Sequence, residues 1–244
     1  MRYSPAPMLD ISKIRAITLD LDDTLWPIWP AIERAENALA AWLGQQAPGA
    51  AAVFADPDAR LAVRQEVVRC RPEIGHDLGT LRRESIRLAL HRANEDTSLA
   101  EPAFEVFFAE RMRVDFFDDA LPALAFLAAR FPMVALSNGN ADLGRVGVAE
   151  FFVAGLSASE FGVGKPDPRI FHAAASSAGV AADAVLHVGD DAALDVLGGL
   201  GAGMQTVWVN RSDHLWTHDV HPHETVTTLS ALCDLLRAVP ERAQ

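Results

Sequence analysis

This chain of 244 residues has few cysteines and no long apolar run, and each shortage excludes a class of protein. Cys70 and Cys233 are its only cysteines, so a disulfide framework is not expected and a reducing compartment fits. Residues 1–13 contain no apolar core of the kind that export signals need. The longest nearly apolar run, residues 120–129, is too short to cross a bilayer. We therefore expect a cytoplasmic protein with no membrane partner.

Positive charge is also scarce. The 21 basic residues face 33 acidic ones, which gives a formal net charge of −12. Such a surface repels nucleic acid backbones. Residues 60–92 are rich in arginine but carry four acidic side chains as well, which favours a solvated helical face over a DNA-binding site. We expect no nucleic acid partner, a small-molecule substrate, and a monomer or homodimer.

What the sequence does contain is a set of short apolar runs typical of buried parallel strands. Stretches of helical periodicity lie between them, one preceded by Asp167 as a candidate N-cap and another followed by Gly201 as a candidate stop. Strand alternating with helix predicts an α/β fold with a parallel sheet covered on both faces. The predicted strands are residues 14–21, 133–136, 185–188 and 204–209, and the predicted helices are residues 121–129, 168–178 and 192–200.

Residues 28–112 follow a different pattern. They lack strand-like runs and are rich in Ala, Arg, Glu and Leu at helical spacing, for example in residues 31–43, 58–69 and 80–93. We predict an all-helical cap domain at residues 28–112, inserted into an α/β core made of residues 1–27 and 113–244.

The strongest local motif, Asp-Leu-Asp-Asp-Thr-Leu at residues 20–25, follows the first predicted strand. Because side chains alternate along an extended chain, Asp20 and Asp22 can face one pocket. A divalent cation would keep Asp20 ionised and nucleophilic, while Asp22 could hold a proton for a leaving group. Thr24 and the backbone N–H groups of Asp23 and Thr24 could receive phosphoryl oxygens. An acidic loop or a helix cap is the alternative.

Two further polar groups follow the core's later elements. Ser137 and Asn138 end the second predicted strand, where a hydroxyl and an amide can donate to a phosphate and Gly139 permits close approach. An ordinary turn is the alternative. Lys165 precedes a predicted helix and can neutralise the charge of a transferring phosphoryl group, although a solvated surface lysine is the alternative.

A second acidic cluster follows the strand predicted at residues 185–188. Asp190, Asp191 and Asp195 lie on or just after a tight turn, where crowded carboxylates need a hard cation such as Mg²⁺. Helix N-capping by Asp190 or Asp191 is the alternative.

Taken together and in this order, the four motifs resemble those of the haloacid dehalogenase superfamily across the whole predicted core. The resemblance implies a Rossmann-like core whose insertion is that superfamily's smaller cap type. It also implies that Asp20 is the nucleophile and forms an aspartyl-phosphate, and that Asp22 is first the general acid and then the base. Ser137 and Lys165 would bind the phosphoryl group.

The same resemblance implies a Mg²⁺ site formed by Asp20, the backbone carbonyl of Asp22 and Asp190, with Asp195 or Asp191 in an outer shell. The true dehalogenases of the superfamily lack the second acid of the first motif. Asp22 therefore favours phosphoryl transfer, and hydrolysis is commoner in the superfamily than the phosphomutase reaction. We predict a Mg²⁺-dependent phosphatase.

Residues 26–36, 71–77, 137–141 and 187–191 also look like bacterial phosphatases of flavin metabolism. Those enzymes act on flavin mononucleotide and on the phosphorylated ribitylamino-uracil precursor of riboflavin, which become the expected substrates. A sugar or nucleotide phosphatase, a phosphomutase and a catalytically silent binding module remain alternatives.

Three sets of side chains have open roles. His76 lies at a break between predicted cap helices, where it could contact a leaving group or cap a helix. A flavin ring needs a flat apolar surface, which aromatic side chains could supply unless they pack in a core. Four histidines near residue 220 could bind zinc, but a polar loop is favoured because their spacing matches no closed zinc site. The aromatic candidates are Trp26, Trp29, Trp42 and Phe54, and the histidines are His214, His218, His221 and His223.

Overall fold

The computed structural model describes residues 8–242, and the chain divides into two compact units. The sheet unit comprises the chain up to Trp26, Phe116–Gly139 and the chain from Gly147 onward. The helical unit comprises Pro27–Asp115 and Asn140–Val146. The assignment of residues 28–112 as a cap on a core stays a prediction.

The sheet unit is built on a six-stranded sheet in which every neighbouring pair of strands is parallel. The predicted α/β fold is therefore confirmed. Its strands are β1 (Ala16–Leu19), β2 (Met133–Ser137), β3 (Ala154–Ser157), β4 (Val185–Gly189), β5 (Gln205–Val209) and β6 (Glu224–Val226).

Burial explains which strands the sequence predicts. All residues of β1, β2, β4 and β5 are buried, as expected for strands covered on both faces, and each matches a predicted apolar run. The two edge strands, β3 and β6, are short and partly exposed, so they lack the apolar run that the prediction relied on.

The strand order is β3-β2-β1-β4-β5-β6. From β1 the chain builds outward through β2 and β3, then returns to the other side of β1 to add β4, β5 and β6. The order reverses between β1 and β4, and ligands of open α/β sheets bind at such a point, beyond the carboxyl ends of the strands.

Helices lie between successive strands except between β5 and β6, and all regular structure within residues 28–111 is helical. They are α1 (Ile28–Gln46), α2 (Pro48–Ala55), α3 (Pro57–Cys70), α4 (Leu78–Arg92), α5 (Ala100–Arg111), α6 (Ala120–Ala128), α7 (Leu143–Val146), α8 (Ala158–Phe161), α9 (Pro168–Ser177), α10 (Gly198–Gly201) and α11 (Leu229–Leu235). Short 3₁₀ turns lie at Ile11–Lys13, Pro72–Ile74, Thr97–Leu99, Ala149–Phe151 and Ala182–Ala184.

Two helix ends predicted in the sheet unit can be compared with the structure. Asp167 is the N-cap of α9, and its carboxylate accepts a hydrogen bond from the Arg169 amide. The helix predicted at residues 192–200 is instead a π-helical turn, Ala192–Leu197, that continues into α10. Gly201 is the last residue of α10 rather than the residue after it.

The helical unit has its own apolar core. Along α1, one buried residue recurs at every fourth position, which places all of them on one face. The last three of them pack with apolar residues of α2, α4 and α5, among them Phe54, Ile86 and Phe104. Within residues 8–242, no helix combines the length and the apolar character needed to span a membrane.

Candidate active site

Polar side chains collect where β1, β2 and β4 end, at the carboxyl edge of the sheet. Asp20 follows β1, Ser137 closes β2, and Asp190 follows Gly189 at the end of β4. Because β1 pairs with both β2 and β4, the three strand ends are neighbours. The sheet topology thus brings together residues separated by up to 170 positions in the sequence.

Lys165 lies at the centre of this group, with its side chain buried. Its Nζ lies 2.5 Å from Asp20 Oδ1 and 2.6 Å from Asp195 Oδ1. Asn138 holds the lysine's backbone, because its amide nitrogen donates to the Lys165 carbonyl at 2.8 Å and its amide oxygen accepts from the Lys165 N–H at 2.7 Å. Lys165 is therefore a fixed buried cation, and the structure uses the Asn138 amide to position it.

Asp195 is held from several sides. His187 Nε2 lies 3.0 Å from Asp195 Oδ1, and the Asp191 amide donates to Oδ2 at 2.9 Å. The other ring nitrogen of His187 lies 2.8 Å from the Thr18 hydroxyl. A Cβ at Gly189 would collide with the Asp195 side chain, so only glycine fits at the end of β4. Both carboxylate oxygens of Asp195 thus have hydrogen-bond partners within the protein.

Sequence reasoning missed His187 and Thr18. Both sit inside strands whose other side chains are apolar, and both are fully buried. A buried polar side chain requires a partner, so a histidine within a predicted buried strand was the available signal. The partner itself lay on another strand and was not visible in the sequence.

The charged groups of this cluster are close enough to shift one another's pKa values. Burial raises the pKa of Asp20 well above its usual range, against the opposing effect of Lys165 and with the help of the other two carboxylates. Burial, followed by the charge of Asp195, raises the pKa of Asp190 to about 7. Burial by itself would raise the pKa of Asp195. The charge of Lys165 and the contact with His187 outweigh burial and hold this pKa below its usual range. Burial lowers the pKa of His187, which favours the neutral ring.

These carboxylates fit a hard cation. Asp20, Asp190 and Asp195 each offer one oxygen, and the three oxygens lie within 4.8 Å of one another. Oxygen donors are the ligands that Mg²⁺ and Ca²⁺ take in proteins. Burial is the main cause of the raised pKa values of Asp20 and Asp190, and the neighbouring carboxylates raise both further. A bound cation would favour the ionised form of both carboxylates.

Asp22 is fixed beside the cluster by its own loop. Trp26 Nε1 donates to Asp22 Oδ1 at 2.8 Å. A Cβ at Gly139 would lie 2.5 Å from Asp22 Oδ2 and 3.1 Å from Ser137 Oγ, so glycine allows this carboxylate and this hydroxyl to meet the turn after β2. The Gly139 amide donates to Ser137 Oγ at 2.9 Å. Asp22 and Ser137 therefore face the same short turn.

The rest of the loop after β1 is clamped to its neighbours. The buried Thr24 hydroxyl donates to Asp190 Oδ1 at 3.1 Å. Arg211 donates to the Thr24 carbonyl at 3.1 Å and to Asp119 at 2.9 Å. Asp23 has a positive φ of 57°, and its N–H donates to the Trp26 carbonyl at 2.7 Å. The loop is thus a tight turn in which the Asp23 N–H already has a hydrogen-bond acceptor within the loop.

The remaining predicted site residues lie elsewhere. Asp191 is the N-cap of the π-helical turn and accepts from the amides of Ala193 and Leu194, so the capping alternative applies to Asp191 and not to Asp190. His76 is half-buried in the turn before α4, where Asp77 and not His76 is the N-cap. Its contact with substrate stays a prediction.

The four histidines form no candidate metal group within residues 8–242. His223 Nδ1 accepts from the Thr206 amide, and the His214 backbone exchanges hydrogen bonds with Asn210. The rings of His218 and His221 pack on Trp216.

The candidate aromatic surface divides between the units. Trp26 is fully buried in the sheet unit, edge-on to Phe116, and Trp42 packs against the helical unit's core. Trp29 and Phe54 line a cavity in the helical unit. Three of the four candidates therefore pack in a core, including Phe54, and only Trp29 among them is largely exposed.

Comparison with known proteins agrees with this geometry. A sequence model of the haloacid dehalogenase-like hydrolases matches residues 14–203. The 5-amino-6-(5-phospho-D-ribitylamino)uracil phosphatase YigB of Escherichia coli is 33% identical over 93% of this chain and 98% of its own length. A phosphoserine phosphatase of Thermus thermophilus is 37% identical over 54% of this chain and 56% of its own. A structure described as 2-haloacid dehalogenase from Pseudomonas syringae is 38% identical, with a TM-score of 0.87, and covers 92% of this chain and 98% of its own.

Proposed function

Because this chain belongs to the haloacid dehalogenase-like hydrolase family and is a phosphoric monoester hydrolase, we propose that it is a Mg²⁺-dependent phosphatase with Asp20 as its nucleophile. Its proposed substrates are flavin mononucleotide and the phosphorylated ribitylamino-uracil. The observation that carries the mechanism is the contact of Lys165 Nζ with Asp20, on a chain that places a second acid, Asp22, two residues later.

Asp20 suits nucleophilic attack on phosphorus because its carboxylate is buried and held by a fixed cation. Attack forms a bond from Asp20 to phosphorus and breaks the bond to the leaving oxygen. Lys165 offsets the charge on the phosphoryl oxygens, and its position is held by Asn138 and Asp195. Ser137 is the proposed hydroxyl donor to the same oxygens.

Asp22 is the proposed general acid and base. Its carboxylate is held by Trp26 and lies against the Gly139 turn, at the same edge of the sheet as Asp20. In the first step its proton passes to the leaving alcohol oxygen. In the second step it takes a proton from water, whose oxygen bonds to phosphorus as the Asp20–phosphorus bond breaks.

Asp20, the Asp22 carbonyl and Asp190 are the proposed holders of Mg²⁺, whose chemistry when bound is to offset phosphate charge. Asp195 fits the outer role because its oxygens already accept from Lys165, His187 and the Asp191 amide. Asp191 is proposed to help position Asp195, because its backbone N–H donates to Asp195 Oδ2.

The proposed substrates rest on the full-length similarity to YigB, whose name states its action on the ribitylamino-uracil phosphate. Similarity to the phosphoserine phosphatase covers about half of each chain and supports the chemistry more than the substrate. We test the assignment by Mg²⁺-dependent phosphate release from a panel of flavin mononucleotide, the ribitylamino-uracil phosphate, nucleoside monophosphates and sugar phosphates.

Preference for the first two compounds would support both the reaction and the substrate. Activity on sugar phosphates alone would keep the reaction and reject the substrate. Phosphate release that Asp20→Asn does not abolish would reject Asp20 as the nucleophile. Transfer of phosphate to a second sugar hydroxyl would indicate a mutase, and no release from any compound would favour a binding module.

Dehalogenation is a second candidate because a structure at 38% identity is described as a 2-haloacid dehalogenase. The presence of Asp22 speaks for phosphoryl transfer, since a proton donor for a leaving alcohol is not needed when the leaving group is a halide ion. Halide release from 2-chloropropionate, measured beside phosphate release, separates the two reactions.

A further inference from the structure

Five polar side chains form a continuous buried hydrogen-bond chain in the sheet unit. Thr18 Oγ1 lies 2.8 Å from His187 Nδ1, and His187 Nε2 lies 3.0 Å from Asp195 Oδ1. Lys165 Nζ lies 2.6 Å from the same Asp195 oxygen and 2.5 Å from Asp20 Oδ1. None of the five residues is more than 8% exposed. The chain therefore links the interior of β1 to the carboxylate that follows the same strand.

The hydrogen-bond roles along this chain follow from its two charged members. Lys165 only donates, and an ionised carboxylate only accepts. Asp195 is ionised, since its pKa is held below the usual range. His187 Nε2 must therefore carry a hydrogen and donate it to Asp195. Burial lowers the pKa of the His187 ring and favours its neutral form, so Nδ1 accepts from the Thr18 hydroxyl.

The packing around His187 leaves its ring little freedom to turn. Phe171 of α9 meets the ring edge-on, with the two ring centres 5.0 Å apart. A Cβ at Gly199 would lie 3.4 Å from His187 Cβ, so α10 packs closely against the base of this side chain. His187 and Thr18 are also register partners on neighbouring strands. The direction of the Nε2–H bond is therefore set by the sheet and by the helices packed on it.

Asp195 Oδ1 is the atom through which His187 can influence the chemistry. This oxygen accepts from Lys165 and His187 at once, and the second donor offsets part of the negative charge that it presents to the lysine. When Asp20 bonds to phosphorus in the proposed reaction, its carboxylate loses its negative charge while the phosphoryl oxygens keep theirs. Lys165 then has to bind the phosphoryl oxygens, and an Asp195 oxygen already shared with His187 competes less for it.

We infer that His187 is a positioning residue for phosphoryl transfer: by donating to Asp195, it leaves Lys165 available to the nucleophile and to the phosphoryl oxygens. Thr18 contributes by fixing which ring nitrogen carries the hydrogen. Because the His187 side chain is fully buried, it acts through these partners and not on the substrate directly. The inference rests on the proposed function, in which Asp20 attacks phosphorus and Lys165 binds the transferred group.

Two replacements of His187 separate its hydrogen bond to Asp195 from the packing of its ring. The amide nitrogen of glutamine can reach the place of Nε2 and donate, whereas asparagine is one carbon shorter and reaches only the place of Nδ1. We expect His187→Asn to lower kcat by about tenfold to a hundredfold and to change KM by less than about threefold, the effect of losing a hydrogen bond to a charged group in the transition state. His187→Gln should keep kcat within about threefold of the wild-type value, because the donor is restored.

Flavin mononucleotide and 4-nitrophenyl phosphate are the two substrates, each assayed with Mg²⁺. Since His187 influences the transferred group and not the leaving group, the loss of kcat in His187→Asn should be similar for both. His172→Asn is the matched control, because His172 also uses Nε2, which lies 3.0 Å from the Ala202 carbonyl, but belongs to α9 and lies outside the buried chain. It should change kcat for neither substrate. Urea unfolding shows whether each variant is folded under the assay conditions.

Crystal structures of the two His187 variants separate failure of this inference from failure of the proposed function. In His187→Asn we expect Lys165 Nζ to move onto Asp195 and to lose its contact with Asp20, whereas His187→Gln should keep both contacts. Absence of phosphate release from the wild-type protein would reject the proposed function, and these structures would still decide whether His187 places the lysine. Equal losses of kcat in the two variants, a wild-type kcat in His187→Asn, or an unchanged contact between Lys165 and Asp20 in that variant would overturn the inference.

Discussion

The two units handle charge in opposite ways. The sheet unit contains 9 basic and 18 acidic residues, and its buried carboxylates gather around one lysine at the strand ends. The helical unit contains 12 basic and 15 acidic residues, and its cavity holds three arginines around one carboxylate. One unit thus lacks positive charge where its carboxylates meet, and the other lacks negative charge.

The salt bridges of the two units differ as well. In the sheet unit, Lys165 contacts two carboxylates with all three side chains nearly buried. In the helical unit, pairs such as Arg113 with Glu110 lie within a helical turn and face water. The comparison teaches that a small number of buried charges, and not the net charge of a unit, indicates where its chemistry lies. The following four predictions test it.

The largest effect is expected for Asp20→Asn. Loss of the nucleophile should reduce phosphate release by more than about a thousandfold, because a neutral amide cannot form the covalent intermediate. Thermal stability without metal should be kept or increased, since one of three crowded carboxylates is removed. Asp58→Asn, an exposed position in the helical unit, is the control and should retain activity.

Lys165→Met should destabilise the protein by about 3–5 kcal/mol at pH 8, because it leaves buried carboxylates without their cation. Arg113→Gln, which breaks an exposed pair in the helical unit, should cost no more than about 1 kcal/mol. Urea unfolding of both variants gives the comparison. Similar losses in the two proteins would contradict the distinction between the units.

The third prediction concerns pH and metal. A carboxyl whose pKa is raised on folding binds its proton more tightly in the folded state, so stability falls as pH rises from the unfolded to the folded pKa. For Asp190 that window runs from its ordinary value near 4 to about 7. Without metal, the melting temperature should therefore fall across this range.

Mg²⁺ should reverse that loss, because it binds the ionised carboxylates. We expect its effect on the melting temperature to be larger at pH 8 than at pH 5, measured by calorimetry with and without the ion. Asp190→Asn should remove most of the Mg²⁺ effect. An equal effect of Mg²⁺ at both pH values would argue against a site at these carboxylates.

The smallest effect is expected at helix ends, where the two units should not differ. Asp77 caps α4 in the helical unit and Thr228 caps α11 in the sheet unit, each accepting a backbone N–H. Replacing either by alanine should cost about 1 kcal/mol in urea unfolding. Asp77→Asn is the control, because asparagine can still cap.

Much of the sheet unit could be predicted from local sequence. Buried parallel strands need continuous apolar runs, and four such runs were visible, each followed or closed by polar residues. The edge strands β3 and β6 were not predicted, because partly exposed strands do not need a continuous apolar run. The π-helical turn that carries Asp195 was predicted as part of an α-helix, because over so few residues the two kinds of helix have the same apolar spacing.

By itself, the sequence determined the residue types, their order and the strand ends after which they fall, because hydrophobic periodicity and short motifs are local properties. Only the tertiary structure decided their partners. It pairs Lys165 with both Asp20 and Asp195. It also places His187 within hydrogen-bond distance of Thr18, and the Asn138 side-chain amide against the backbone of Lys165. Those contacts join strands and loops far apart in the chain, and the physical reason is that burial obliges each polar group to find whichever partner the packing of the sheet brings within reach.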